Sequence, residues 1–151
     1  MEYNIEVINN GDPYFERICE ALEKSVVSEN LVINGGTLRY SHLTFDSEIL
    51  LVALDGDKLL GFSSLVTYGN TLYVYQIAVK KEYQAQGIGT SLVQKTIDIA
   101  ASLNMDVTAH VMEYNTNSQK MFLNLGFVKL GESKDNGFYR FYQKNKKVGS
   151  K

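Results

Sequence analysis

Gln84-Ala85-Gln86-Gly87-Ile88-Gly89-Thr90 is the stretch whose residue types and spacing point most directly to chemistry. It follows a β-branched and aromatic run (Tyr73 to Val79) and a polar turn, and it opens straight into an amphipathic helical pattern. A glycine-spaced loop ending at a helix N-terminus presents backbone N–H groups that have no intrahelical acceptor, which suits an anion. No side chain from Gln84 to Thr90 is charged, so the amides themselves must hold the ligand, and a pyrophosphate is the expected one. Two other phosphate loops fit worse. A dinucleotide fold wants a third glycine where Leu92 stands and an acid near the end of the next strand, whereas Asp106 comes early in it. A nucleotide P-loop needs Gly-Lys-Ser/Thr, and Gly89 is followed by Thr90-Ser91.

The elements that must position this loop are legible in the pattern. Tyr3 to Ile8 reads as a first strand, and Asp12-Pro13 as an N-cap with proline at the first helical position. Phe15, Ile18, Leu22 and Val26 then make a helical stripe, with Cys19 beside it as a core thiol rather than a nucleophile. Residues 28–45 resist assignment. Glu48 to Leu54 and Lys58 to Tyr68 are strands joined at Asp55-Gly56-Asp57, and Gly69-Asn70 leads to a third, Thr71 to Val79. After the loop come a helix from Gly87 to Leu103, a strand from Asp106 to Val111, and a short helix from Asn115 to Leu125 stopped by Gly126. Phe127–Leu130 and Phe138–Gln143 close the pattern as a strand pair, and the tail from Lys144 is expected to fray. The order βα(α)βββαβαββ implies one α/β (α+β) domain with helices flanking a mixed, mainly antiparallel sheet. Its apolar, tyrosine-rich last strand, Phe138 to Tyr142, suggests an edge on which a homodimer could form.

Composition narrows the function. The 151 residues are 44% hydrophobic, enough for a real core. No apolar run suggests a signal peptide or a membrane span, so the cytoplasm is expected. One cysteine and two widely separated histidines, His42 and His110, give no basis for a disulfide framework or a metal site. A net charge of −2 gives none for nucleic acid. That charge is unevenly spread: residues 1–60 hold 4 Lys/Arg against 11 Asp/Glu, and residues 61–151 hold 11 against 6. A basic half suits a polyphosphate and an acidic half a cationic co-substrate, although two differently solvated surfaces would read the same way.

Gln84-Ala85-Gln86-Gly87-Ile88-Gly89 resembles the Arg/Gln-x-x-Gly-x-Gly/Ala signature of the GNAT superfamily of N-acetyltransferases. Asn115 to Phe127 is similar to its second signature, Asn-x-x-Ala-x-x-Leu-Tyr-x-x-x-Gly-Phe, in the family's order and spacing. The resemblance implies a GNAT-like sheet and acetyl-CoA as cofactor. The pantetheine arm would lie along Ile77, Ala78 and Val79. The pyrophosphate would lie on the amides of Gln84, Ala85, Gln86, Gly87, Ile88, Gly89 and Thr90, with Asn115, Ser118 and Phe122 beside the cofactor. Asn115 reads equally as a plain helix N-cap.

The chemistry so implied is attack of an amine on a thioester. An alkyl amine of pKa about 10.4 needs roughly 3.4 units, or about 4.6 kcal/mol, of help to be neutral at pH 7. His110 is the candidate general base, against the reading of an ordinary strand histidine. It stands five residues before Asn115, where some relatives that acetylate protein N-termini carry glutamate. Tyr73 and Gln76 occupy positions where other relatives place an acid. Phe122 departs from the family, whose tyrosine there protonates the leaving thiolate. Tyr114, Tyr139 and Tyr142 are the possible replacements, Tyr114 first, with water as the alternative. Arg39-Tyr40-Ser41-His42 and Asp46 are candidate acceptor contacts or plain loop residues. Three outcomes therefore remain open: acetylation of a small amine, acetylation of a protein N-terminus or lysine, and a non-catalytic acyl-CoA-binding module.

Overall fold

The computed structural model describes residues 2–9, 11, 32–33, 36–37, 48–113, 115–131 and 138–145. Within them run β1 (Asn4–Asn9), β2 (Val32–Ile33), β3 (Gly36–Thr37), β4 (Ile49–Asp55), β5 (Lys58–Tyr68) and β6 (Thr71–Val79). A 3-10 turn (Lys81–Tyr83) leads to α1 (Ile88–Ser102), β7 (Asp106–Met112), α2 (Thr116–Asn124), β8 (Val128–Leu130) and β9 (Phe138–Gln143). The helix expected from Asp12, Cys19, Arg39 to His42, Asp46 and Tyr114 lie outside the described residues. So do the expected fray beyond residue 145 and most of the unassigned stretch 28–45, where β2 and β3 form a small antiparallel pair.

Seven strands form one mixed sheet in the order β1-β4-β5-β6-β7-β9-β8. All its pairs are antiparallel except β6 with β7, the crossover that α1 spans. β9 lies between β7 and β8, so the expected edge at Phe138 to Tyr142 is an interior strand, and the short β8 is the edge. The reason is register: β9 pairs with β7 from Val107–Gln143 to Met112–Phe138, using the side on which a partner would dock.

α1 packs on one face of the sheet through Ile88, Leu92, Val93 and Ala100. Thr96, buried on the same stripe, returns its hydroxyl to the Leu92 carbonyl at 2.9 Å and so leaves no polar atom unpaired. Beneath it lie Leu51, Leu65, Val74, Ile77, Ala109 and Val111. Toward β9 the core becomes aromatic, with Phe122 edge-on to Phe127 at 5.0 Å and stacked with Phe141 at 5.8 Å.

β6 changes phase halfway along. Ser64 pairs with Gln76 and Leu65 with Val74, so Tyr75 is an extra residue, a β-bulge. Before the bulge, Leu72 and Val74 face α1; after it, Ile77 does. The parallel pairing with β7 stops at the same place, with Val74–Ala109 as its last pair. Both strands continue past that pair, β6 to Val79 and β7 to Met112, so the sheet opens into a gap between them.

Candidate active site

The gap is where the backbone of β6 has hydrogen bonds to give. Lys80 N–H donates to the Leu60 carbonyl across β5 and β6 at 2.9 Å. Alternation along the strand then turns the N–H and C=O of Ile77 and Val79 toward the gap. Ala78 belongs to the opposite phase: its peptide faces β5 and its side chain is buried, so it does not join Ile77 and Val79 as the resemblance implied. Gly61 lets the two strands approach closely here. A Cβ on it would lie 2.7 Å from the Ala78 carbonyl oxygen and 3.1 Å from Val79 Cα.

Below the gap the loop turns into α1. Gln84 Nε2 donates to the Val79 carbonyl at 3.0 Å, and Gln86 Nε2 reaches the Glu82 carbonyl at 3.4 Å. Ala85 and Gly87 hold positive φ, +62° and +86°, and Gly87 is the N-cap of α1 without any side-chain cap. The first helical bond is Ser91 N–H to the Gly87 carbonyl at 3.0 Å. Helix geometry therefore leaves the N–H groups of Ile88, Gly89 and Thr90 without intrahelical acceptors. The Ile88 side chain is buried and anchors the turn, so its contribution to a ligand is through its amide alone. On the far side, Asn115 Oδ1 accepts the Ser118 N–H at 3.2 Å and caps α2.

These pieces enclose a cleft of about 240 Å³. It is lined by the expected Ile77, Val79, Gln84, Gly89, Asn115 and Ser118, and by Met121, which sequence reasoning missed. The signal for Met121 was its helical spacing from Ser118, obscured because the position reads as core. Phe122, expected beside the cofactor, is fully buried and does not line the cleft. Its ring completes the Phe122–Phe127–Phe141 cluster, and Met121 takes the outward position. The cleft is below the roughly 300–1,000 Å³ of pockets that enclose a drug-sized ligand, so it suits a thin arm of a longer molecule.

His110 is the first β7 residue beyond the parallel pairing, at the apex of the gap. Val107, Ala109 and Val111 fill the core under α1, so His110 stands on the opposite face of the sheet with Thr108 and Asp106. Tyr73 hydroxyl lies 3.3 Å from His110 Nδ1 and the two rings are 5.1 Å apart. Burial, then the positive charge of Arg140, hold the imidazole pKa below its usual value; burial, then Tyr68, hold the Tyr73 phenol above its own. At neutral pH the pair is thus a neutral imidazole and a neutral phenol. Gln76, buried, faces Ser64 at 3.5 Å. Of the other tyrosine candidates described, Tyr142 donates its hydroxyl to Asp106 at 2.6 Å, and Tyr139 carries the Lys129 ammonium 3.6 Å above its ring.

Residues 16–127 match the model of the acetyltransferase (GNAT) family. The chain is 25% identical over 146 residues to N-alpha-acetyltransferase 30 of Schizosaccharomyces pombe, covering 91% of this chain and 90% of that one. Among solved structures, it superposes on the ribosomal-protein-S18-alanine N-acetyltransferase of Escherichia coli with a TM-score of 0.67 at 14% identity, covering 93% and 91% of the two chains. A Bacillus subtilis acetyltransferase in complex with CoA gives a TM-score of 0.64 at 20% identity over 95% and 99%.

Proposed function

Because the chain belongs to the acetyltransferase (GNAT) family, we propose that it transfers the acetyl group of acetyl-CoA to an amine by direct attack in a ternary complex. The observation that carries this reading is the gap itself: it opens at Val74–Ala109 beside His110 and continues into the cleft at the α1 N-terminus. Coenzyme A fits the residues present. Ile77 and Val79 offer backbone groups to an amide-containing arm, and the uncapped α1 amides suit a pyrophosphate. Gly89 adds no side chain where that anion must come close. When bound, acetyl-CoA supplies the acetyl group as an activated thioester.

The rest falls to the chain. The N–H groups of Ile77 and Val79 are the donors available to negative charge developing on a carbonyl oxygen in the gap. His110, neutral at pH 7 and held by Tyr73, takes the amine proton directly or through a water. Phe122 has no proton to give the departing thiolate, so Tyr114 or solvent supplies it, and a thiol of pKa about 8.5 leaves tolerably as its anion. For the acceptor, similarity to an N-alpha-acetyltransferase along nine-tenths of both chains favours a peptide N-terminus.

Calorimetry with CoA, followed by thiol release with acetyl-CoA and a panel of polyamines, amino acids, aminoglycosides and short peptides, tests the proposal. Amine-dependent release is expected. Tight CoA binding without release on any amine would instead mark a non-catalytic acyl-CoA-binding module.

A further inference from the structure

The face of the sheet that carries His110 also carries Arg140, which makes no ion pair among the described residues. Arg140 on β9 is paired directly with His110 on β7, and directly opposed residues share a face with Cβ atoms about 4.5–5.5 Å apart. Its Nε donates to Thr108 Oγ1 at 3.4 Å, which lays the stem along the sheet and leaves the terminal nitrogens of the guanidinium without a partner among the described residues. Asp106, an acid on this face, gives both carboxylate oxygens to other donors. Its Oδ2 takes the Tyr142 hydroxyl at 2.6 Å, and its Oδ1 takes the Asn145 N–H at 2.7 Å. Glu48 is likewise occupied by the Thr67 hydroxyl and amide at 2.7 and 3.3 Å. Arg140 is exposed, so it is not a buried structural charge. Where it stands, it works against the neighbouring base by disfavouring a second positive charge.

Resting on the reading of this site as an amine acetyltransferase, we infer that Arg140 is a specificity-determining residue that binds a carboxylate of the acceptor. The acceptor is then an amine with a carboxylate close by. Such an amine comes from two sources, a free amino acid or a peptide whose first residues include Asp or Glu. Arginine suits the task because its planar fork binds a carboxylate in two parallel hydrogen bonds, which an ammonium cannot do. Tyr68 and Tyr73, with rings 6.0 Å apart, stand on the same side as apolar flanks for the acceptor.

The test compares four acceptors under saturating acetyl-CoA: two C-terminally amidated peptides that differ only in Glu or Gln at the second residue, and free glutamate against glutamine α-amide, in which both carboxyls are amidated. The ratio of kcat/KM, acidic over neutral, is expected to be about tenfold in the unaltered protein for the source that is used. It should fall to about one in Arg140→Met and lie between in Arg140→Lys, which keeps charge without the fork. Independently of turnover, titrating the acidic peptide or amino acid into the CoA complex should shift the Arg140 Nε–H resonance, and the neutral analogue should not. A ratio near one in the unaltered protein, or a ratio that survives Arg140→Met with its thermal melt intact, overturns the inference while acetylation itself stands. Absence of turnover on every amine would remove the enzyme reading and this inference with it.

Discussion

Gly89→Ala should separate the fold of this protein from its binding of coenzyme A. A Cβ at Gly89 would lie 3.5 Å from Met121 Sδ and 3.9 Å from Val79 Cγ2, both ordinary contact distances. The residue is helical and its φ is not positive, so alanine meets neither a clash nor strain. Alanine in a helix is favoured over glycine by at most about 1 kcal/mol, less in the first turn. For a chain of this size that is a melting temperature between unchanged and roughly 4 °C higher. The same methyl projects between Val79 and Met121, across the cleft that the cofactor arm would enter. Pushing an anion off the α1 amides forfeits at least one charge-assisted hydrogen bond, about 1.5–3 kcal/mol, or roughly 10- to 150-fold in Kd. Thermal melts of the ligand-free protein and calorimetry with CoA measure the two halves. CoA bound equally well by the variant would refute the placement of the cofactor at the α1 N-terminus. A melting temperature lowered by several degrees would refute the packing argument.

Gly61→Ala makes the opposite expectation: its Cβ would collide with the backbone at Ala78 and Val79, so stability should drop by about 1–3 kcal/mol, read by urea unfolding, with CoA binding weakened as well. Ser63, opposite Ile77 on the α1 face, buries a hydroxyl that finds no partner among the described residues; Ser63→Ala should raise stability by up to about 2 kcal/mol in the same assay. His110→Ala should cut kcat by about 10²–10⁴-fold. The folded pKa of His110 is depressed, so the neutral base persists through neutral pH and kcat should fall only as pH drops below the ordinary histidine value of about 6.5. That acid limb should vanish in His110→Ala. In Arg140→Met it should move upward by part of the depression, because burial is the larger cause; a limb that stays put in both variants would argue against His110 as the base.

Much of the scaffold was legible because its signals are local. The β4–β5–β6 meander follows from Asp55-Gly56-Asp57 and Gly69-Asn70, and α1 was placed to within a residue at either end by Gly87 and Leu103. Six of the seven cleft residues were named: Gln84, Gly89, Asn115 and Ser118 from the two signatures, and Ile77 and Val79 from the strand that the family places before the loop. What escaped depends on partners distant in the chain. Tyr75 looks like any residue of a continuous strand, since a bulge exists only relative to β5, and with it went the phase that excludes Ala78. The interior position of β9 is set by pairing with β7, not by anything in Phe138 to Gln143. The exchange of Met121 for Phe122 turns on a rotation of α2 about its axis, fixed by Phe127 and Phe141. The contact of Tyr73 with His110 crosses the parallel seam, and no spacing announces it.

That seam has a bearing on how the chain assembles. The antiparallel pairs of β4, β5 and β6 close over turns of a few residues, whereas Thr71–Val74 meets Asp106–Ala109 only after all of α1 has been traversed. Closing the longer loop costs more entropy before any contact rewards it, so the meander belongs early in folding and the seam late. The gap, the apex histidine and the cleft are all built on the seam. Competence to bind arrives with the final long-range pairing, and a ligand seated there acts on the last step of assembly. It would slow the departure of the finished protein from its native state rather than hasten the collapse that precedes it.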